Sequence, residues 1–275
     1  MFRGPQMQFD LDARTASLSV GDFAEFTLGP RDGGDGAQGL WRAQLGTHWH
    51  RQLRLQTAGE HPGAEFEVAV AGQVFHRGWK IGLTGRIDQL LRTGGAVLLR
   101  EIKTVTRPLP ADEPELRQDY SSYFAQLAAY VALWQLRDAA APSPAALRAE
   151  LVFVEAGSGL AQTVALTAAD QAVFKIQLER VADFLDLRRR ARERLSRLQF
   201  QAPFTQLRPG QETTRADLDR ALGGQHGPVF FEAPTGFGKT GVLLESALGQ
   251  LRAGHFERLL YLTSKSTGQI QVVRA

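Results

Sequence analysis

Apolar residues recur about four positions apart in three long segments of the chain. This spacing places them on one face of a helix. The predicted helices cover residues 40–55, 113–136 and 168–198. In the first of them the apolar positions are Leu40, Trp41, Leu45, Trp49 and Leu53. We expect each helix to bury this face against the rest of its domain.

Extended segments lie between these helices. Residues 66–71 alternate between polar and apolar side chains, which predicts a strand, and Gly72-Gln73 predicts a turn after it. The other predicted strands cover residues 74–84, 86–92, 96–103, 149–155 and 161–166. Glycine and proline mark residues 28–38 as a loop and residues 139–146 as a linker. The order of elements predicts an α/β protein with a mixed central sheet flanked by helices.

Gly94 and Gly95 separate two predicted strands and favour a two-residue hairpin loop, because glycine adopts positive φ without steric cost. With that loop, Asp88 directly faces Glu101 across the hairpin. Facing residues have Cβ atoms about 5 Å apart, and two like charges there destabilise a sheet. A cation between the carboxylates would remove this repulsion. Lys103 shares the face of Glu101, because strand side chains repeat every second residue.

A domain boundary is predicted near residues 201–203, which divides the chain into domains of residues 1–200 and 201–275. The second domain is predicted to begin with a helix over 211–222. A strand over 229–231, a glycine loop, a helix over 239–251 and a strand over 259–262 follow it. This is the start of a βαβ unit.

The composition is that of a globular protein, with 43% hydrophobic and 22% charged residues among 275. No apolar run is long enough to span a membrane, and the first residues lack a signal-peptide pattern. We therefore expect a cytoplasmic protein with no membrane partner. The absence of cysteine excludes disulfides, zinc–thiolate sites and cysteine-held iron–sulfur clusters. A pI of about 9.4 permits nucleic-acid binding.

The residues of the hairpin suit a hard metal ion. Mg²⁺ prefers oxygen ligands and commonly takes one or two carboxylates plus water. Asp88 and Glu101 would supply carboxylates, and the Ile102 backbone carbonyl a third oxygen. Lys103 would either deprotonate or orient a metal-bound water, or stabilise charge on a phosphate. The alternative is an ordinary exposed hairpin of mixed charge.

Residues on two helices favour the metal site. Gly46 and His50 share one face of the first helix, and Gln126 and Tyr130 share one face of the second. The order His50, Asp88, Glu101-x-Lys103, Gln126-x-x-x-Tyr130 resembles the PD-(D/E)XK nuclease superfamily, specifically its RecB-like branch, over residues 38–160.

This resemblance implies a restriction-endonuclease-like core and a role for each matching residue. His50, Asp88 and Glu101 would contact Mg²⁺ or Mn²⁺, and Lys103 would be the active lysine. Gln126 and Tyr130 would help hold the substrate and this lysine. Glu65 or Glu67 is a candidate outer acid. Relatives often carry a four-cysteine iron–sulfur cluster, which this chain cannot form.

A second motif, Ala233-Pro234-Thr235-Gly236-Phe237-Gly238-Lys239-Thr240, predicts a phosphate-binding loop before a helix. Gly236 and Gly238 would let backbone N–H groups approach phosphates, Lys239 would reach the β/γ-phosphates of ATP, and Thr240 would ligate Mg²⁺.

The loop resembles motif I of superfamily 2 helicases of the XPD/DinG type. This resemblance implies that the nuclease core is followed by a partial P-loop (RecA-like) βαβ segment. In that resemblance Gln211 would contact the adenine base, and residues 261–272 would match the DNA-touching motif Ia. The second acidic motif, the second lobe and the arginine finger needed for phosphoryl transfer have no match. We expect a piece of a helicase, without ATPase activity, behind an intact nuclease domain.

Together these features predict a metal-dependent deoxyribonuclease that cuts single-stranded or flapped DNA, as part of a nuclease–helicase fusion in DNA repair or defence. One alternative is a DNA-binding module that does not cut and serves an ATP-driven helicase. Another is ATP turnover as the main chemistry, which the missing motifs disfavour.

Overall fold

The computed structural model of the protein describes residues 7–28, 36–138, 146–224 and 227–262. The chain forms two compact units, Met1–Leu185 and Asp186–Ala275. The predicted loop at 28–38 and linker at 139–146 lie mostly outside the described residues, and so does the candidate motif Ia beyond Leu262. The domain boundary predicted at residue 200 stays a prediction.

Helices and strands alternate irregularly along the chain. The strands are β1 Gln8–Asp10, β2 Thr15–Ser19, β3 Glu65–His76, β4 Trp79–Thr93, β5 Ala96–Val105, β6 Ala146–Glu155 and β7 Ala161–Ala165. The helices are α1 Val20–Ala24, α2 Gly36–Glu60, α3 Glu113–Asp119, α4 Ser121–Asp138, α5 Ala168–Ser196, α6 Gln211–Gly223 and α7 Lys239–Ala253. The α/β class with a mixed sheet is therefore confirmed.

The described strands form one sheet in the order β1-β2-β4-β5-β6-β7, and β3 pairs with β4 as well. β2 runs parallel to β4 and β5 parallel to β6, while the other pairs are antiparallel. A strand has only two edges, and β3 follows one edge of β4 over residues 80–90. β2 and β5 must therefore share the other edge.

The shared edge of β4 is a fork. β2 pairs with residues 80–84 of β4, and β5 pairs with residues 89–93. Residues 85–88 lie between these two ladders. The fork consists of residues 85–88 of β4 and of residues 101–103 of β5, which follow the last pair of the β4–β5 ladder.

The hairpin between β4 and β5 has the predicted loop. Gly94 and Gly95 have φ of 57° and 80°, and the ladder runs from Thr93↔Ala96 to Gln89↔Arg100. Asp88 and Glu101 stand one position beyond the last pair of this ladder.

The turn predicted at Gly72-Gln73 is wrong. β3 continues through these residues, and the chain reverses at Arg77 and Gly78, where φ is 49° and 78°. Gly72 serves close packing: a Cβ atom there would lie 2.8 Å from Leu133 Cδ2 of α4. A glycine inside a strand often marks such a close approach.

Two apolar clusters cover the two faces of the sheet. The larger one joins α1, α4 and α5 to the sheet and includes Phe23, Trp79, Leu127, Phe153 and Leu185. On the other face, Trp49 and Leu53 of α2 pack against Ile102, Val152 and Val154. Helices α2 and α4 therefore approach opposite faces of β5, and its neighbouring residues Glu101 and Ile102 point to different helices.

The second unit contains helices α6 and α7 within its described residues. The strands predicted at 229–231 and 259–262 are not formed there. A strand needs a hydrogen-bonded neighbour, and a central parallel strand is buried on both faces. Phe230 is instead 93% exposed and Leu260 79% exposed, so neither segment has the cover that a strand of this kind needs.

No helix in the described residues is both long and apolar enough to cross a membrane.

Candidate active site

Asp88 stands at the end of the fork and pairs with neither neighbouring strand. On the β5 side the ladder stops at Gln89, and on the β3 side Glu67 interrupts it with a φ of 52°. A positive φ is unfavourable for a residue with a side chain, and such strain clusters at functional sites. The backbone of Asp88 therefore has no ladder partner in β3 or β5.

The Asp88 carboxylate replaces the missing ladder partner of β5. Its Oδ2 accepts a hydrogen bond from the Ile102 N–H at 2.7 Å. In a strand, the N–H and C=O of one residue point to the same edge. The Ile102 carbonyl therefore also faces the fork, where the sequence placed a third oxygen ligand.

His50 approaches the same carboxylate from α2. Its Nδ1 lies 3.8 Å from Asp88 Oδ2, and the His50 side chain is 35% exposed. Gly46 lies one turn earlier. A Cβ atom there would make an ordinary contact of 3.7 Å with Thr104 Oγ1 of β5, so the packing of the helix does not require glycine.

Glu101 is buried, with 3% of its surface exposed. Its Oε1 accepts hydrogen bonds from Lys103 Nζ at 2.9 Å and from Gln126 Nε2 at 2.7 Å. Its Oε2 is buried and has no hydrogen-bond partner among the described residues. Buried carboxylate oxygens are nearly always satisfied, so this orphan oxygen is a position at which a cation would bind.

The electrostatics of the pair agree with this geometry. Burial, helped by the negative charge of Asp88, raises the pKa of Glu101 to about 7, although Lys103 opposes the shift. Burial also raises the pKa of Asp88, and nearby Glu67 adds to that effect. Burial alone would lower the pKa of Lys103, but the Glu101 carboxylate outweighs it and the Lys103 pKa rises. Lys103 is thus held as a cation.

Helix α4 supplies the remaining polar groups. Gln126 Nε2 lies 3.3 Å from the Tyr130 hydroxyl while it donates to Glu101. Burial, with the charge of Glu101, raises the pKa of Tyr130, which keeps the phenol neutral. Tyr130 packs against Gly85 in the fork, where a Cβ atom would lie 2.7 Å from Tyr130 Cε1.

Two further residues belong to this site. The ring of Tyr123 lies 5.2 Å from Lys103 Nζ, within the range of a cation–π contact. The sequence pattern did not single out Tyr123, although it stands one turn before Gln126. Of the two candidate outer acids, Glu67 is the one beside Asp88, while Glu65 pairs with Arg92 at 3.1 Å.

The donor set fits a hard divalent cation. Across the described parts of the chain, no group of three or more His, Asp or Glu side chains is gathered as a metal site. The fork offers two carboxylates and a carbonyl instead, which matches the few protein ligands that Mg²⁺ commonly takes. Asp88, Glu101 and Ile102 would hold the ion, and His50 stands next to it.

The phosphate-loop residues gather within the second unit. Gly236 and Gly238 have φ of 80° and 86°, and α7 begins at Lys239. Lys239 Nζ donates to the carbonyls of Ala233 and Pro234, at 2.5 and 3.1 Å. Thr240 follows at the start of the helix. The phosphate-binding roles of these residues stay predictions.

Gln211 is buried and reaches the same loop. Its Nε2 donates to the Phe237 carbonyl at 2.5 Å, and its Oε1 accepts from the Arg208 N–H at 2.7 Å. Its amide is thus used to hold the loop, and its role as an adenine contact stays a prediction.

The sequence was compared with protein-family models, curated proteins and solved structures. A model of the PD-(D/E)XK nuclease superfamily matches residues 13–214. The crystal structure of a protein called SSO0001 is similar with a TM-score of 0.38 and 16% identity, over 59% of this chain and 75% of that one. A presumptive exonuclease from Eubacterium rectale has a TM-score of 0.34 and 12% identity, over 46% of each chain. Curated protein sequences give no match.

Substituting Gly85→Ala should disturb the site through Tyr130. The new Cβ would lie 2.7 Å from Tyr130 Cε1 and 3.1 Å from Val20 Cβ. We expect a loss of about 1–3 kcal/mol in the free energy of unfolding, measured by urea denaturation. Gly59→Ala, where nothing lies within 4 Å, is the matched control and should be neutral or stabilising. Equal stability of the two variants would contradict the close packing.

Divalent cations should stabilise the protein more at pH 8 than at pH 6. Because the folded-state pKa of Glu101 is raised from 4.5 to about 7, its contribution to stability is complete below pH 4.5 and is lost as the pH rises through 7. A cation bound by the ionised pair restores this loss. Melting temperatures with and without Mg²⁺ or Mn²⁺ at both pH values would measure the effect.

The control for this measurement is Asp88→Asn, which should lose most of the cation-dependent shift. Asp112→Asn, at an exposed helix start whose side chain makes no capping hydrogen bond, should keep it. An equal shift at both pH values, or a full shift in Asp88→Asn, would show that the cation binds elsewhere.

Proposed function

The chain belongs to the PD-(D/E)XK nuclease superfamily, and from this premise we propose that it is a Mg²⁺- or Mn²⁺-dependent deoxyribonuclease that hydrolyses phosphodiester bonds. The observation that carries the proposal is the orphan Oε2 of Glu101, buried at the fork beside Asp88. A purely structural ion pair between Glu101 and Lys103 would not need a second carboxylate, Asp88, nearby.

Each residue at the fork has a role in the proposed reaction. Asp88, Glu101 and the Ile102 carbonyl hold the ion. A bound Mg²⁺ or Mn²⁺ would lower the pKa of a coordinated water and neutralise charge on the phosphate. Gln126 and Lys103 fix the orientation of Glu101 through its Oε1.

Lys103 acts as a cation in this proposal. Its raised pKa keeps it protonated next to Glu101, which supports stabilising negative charge on the phosphate over removing a proton from water. Tyr123 and Tyr130 enclose the Lys103 and Gln126 side chains and limit their movement.

We assign the chain to the RecB-like branch because His50 lies beside Asp88 and because Gln126 and Tyr130 both reach the site. Single-stranded or flapped DNA is the proposed substrate. The phosphate loop of the second unit supports a fusion to an XPD/DinG-like helicase in DNA repair or defence. In that fusion the helicase would deliver DNA to the nuclease, and residues 201–275 alone would not hydrolyse ATP.

Asp88→Asn and Lys103→Ala should each lower the cleavage rate at least about a hundredfold, because the first removes a carboxylate that would hold the ion and the second removes positive charge beside the reacting phosphate. The assay uses end-labelled single-stranded DNA, double-stranded DNA and RNA with Mg²⁺ or Mn²⁺, with and without ATP. Asp112→Asn and Lys175→Ala remove the same charges at exposed positions of the same unit and should keep wild-type rates.

The outcomes separate the candidate functions. Cleavage that survives both site substitutions would overturn the site assignment. DNA binding without any cleavage by the wild-type protein would favour the module that does not cut. Cleavage that depends on ATP would favour the alternative in which ATP turnover by the second unit is the main chemistry.

A further inference from the structure

A pocket of about 220 Å³ lies between α2 and the sheet, next to Asp88. Thr47, His50, Arg51 and Arg54 of α2 line it, and their spacing puts them on one side of the helix. Its other wall comes from β3, β4 and β5. Glu101 and Lys103 point to the opposite face, toward α4. The pocket therefore adjoins the site described above, with which it shares Asp88 and Ile102.

Gln89 in the pocket wall carries two buried donors without an acceptor. The residue is 1% exposed. Its Oε1 accepts from the Thr57 hydroxyl at 3.2 Å and from an Arg100 N–H at 3.3 Å. A guanidinium only donates, so the amide oxygen must face Arg100 and the amide NH₂ must point away. That NH₂ has no hydrogen-bond partner among the described residues.

Two arginines add positive charge at the same pocket. Arg51 and Arg54 are exposed, and Arg54 lies over the Phe66 ring at 4.8 Å. Neither arginine forms an ion pair with a carboxylate of the described residues. Exposed guanidinium groups beside an unsatisfied amide N–H favour an occupant that carries negative charge.

The acids of the pocket lie at its Asp88 end. Glu67 stands opposite Asp88, between the pairs Phe66↔Gln89 and Val68↔Ile87. Both carboxylates are therefore next to the candidate cation site, where a bound ion would offset their charge. A cation as the main occupant is disfavoured by Gln89 and the arginines, which are all donors.

We propose that this pocket binds a backbone phosphate of the substrate strand, next to the bond that is cut, through Gln89 and Arg51, with Arg54 at its mouth. The inference rests on the proposed nuclease function. The pocket shares Asp88 with the cation site, so a strand whose reacting phosphate lies at the fork brings a neighbouring phosphate to α2.

Oligonucleotides that carry one uncharged methylphosphonate linkage test the proposal. Dissociation constants are measured by fluorescence anisotropy in a chelator, so that no cleavage occurs. We expect one linkage position to weaken wild-type binding about tenfold, since a charge-assisted hydrogen bond is lost. In Arg51→Ala the same linkage should have no further effect, because the two changes remove the same contact.

Two further measurements separate phosphate binding from a structural role. Arg51→Ala should reduce the salt dependence of binding by about one phosphate contact, and it should raise KM about tenfold while kcat stays nearly unchanged. Gln89→Glu keeps an acceptor for Arg100 but replaces the NH₂ with oxygen, and it should weaken binding at the same linkage. Lys80→Ala and Gln73→Glu repeat these charge changes at exposed positions of β4 and β3 and should bind like wild type.

A terminal phosphate has the same chemistry as an internal one, so the series includes strands with and without a phosphate at each end. Loss of binding only with the end phosphate removed would assign the pocket to strand ends. If Arg51→Ala binds with wild-type affinity and salt dependence while the wild-type protein cleaves DNA, the phosphate pocket is wrong and the nuclease proposal stands. If the wild-type protein binds DNA through Arg51 without cleaving it, the nuclease proposal fails and the pocket stands.

Discussion

The sharing of one edge of β4 by two different strands determines the rest of this structure. β2 and β5 both hydrogen-bond to that edge, and neither reaches residues 85–88. Backbone groups that leave a ladder need other partners. Asp88 accepts from the Ile102 N–H, and the Tyr130 hydroxyl accepts from the backbone of Arg86. The side chains of the site are therefore placed by the same requirement that satisfies the backbone.

The fork also explains why an unfavourable charge is tolerated. A shift in the Glu101 pKa from 4.5 to about 7 corresponds to roughly 3 kcal/mol against the ionised form. Lys103 and Gln126 reduce this cost at one oxygen and leave the other buried without a hydrogen-bond partner among the described residues. A fold selected for stability alone would replace Glu101 with an apolar residue. The retained carboxylate is consistent with a site that is completed by a cation.

The sequence predicted the hairpin well because its loop is local. Two adjacent glycines favour a two-residue turn with positive φ at both positions, which is the turn observed. That turn fixes the pairing of the two strands as far as Gln89 and Arg100. The last step to Asp88 and Glu101 could not be predicted this way, because the ladder ends where β5 leaves β4. β2, which takes over that edge, is only five residues long, and its alternation of polar and apolar residues does not show which strand it pairs with. The strand predicted at 229–231 is the opposite error, since an apolar run forms no strand without a neighbour.

Non-local packing also accounts for the residues that pattern reasoning missed. Gln89 looks like an ordinary polar strand residue, and only its contacts with Thr57 and Arg100 reveal that its NH₂ is left over. Asp88 and Gln89 are neighbours, so their side chains leave the strand on opposite faces. Because the fork opens the sheet at this point, His50 of α2 reaches Asp88 from one face while Glu101 and α4 approach from the other. The opening in the sheet therefore lets groups from both faces approach Asp88, which a continuous ladder between β4 and β5 would prevent.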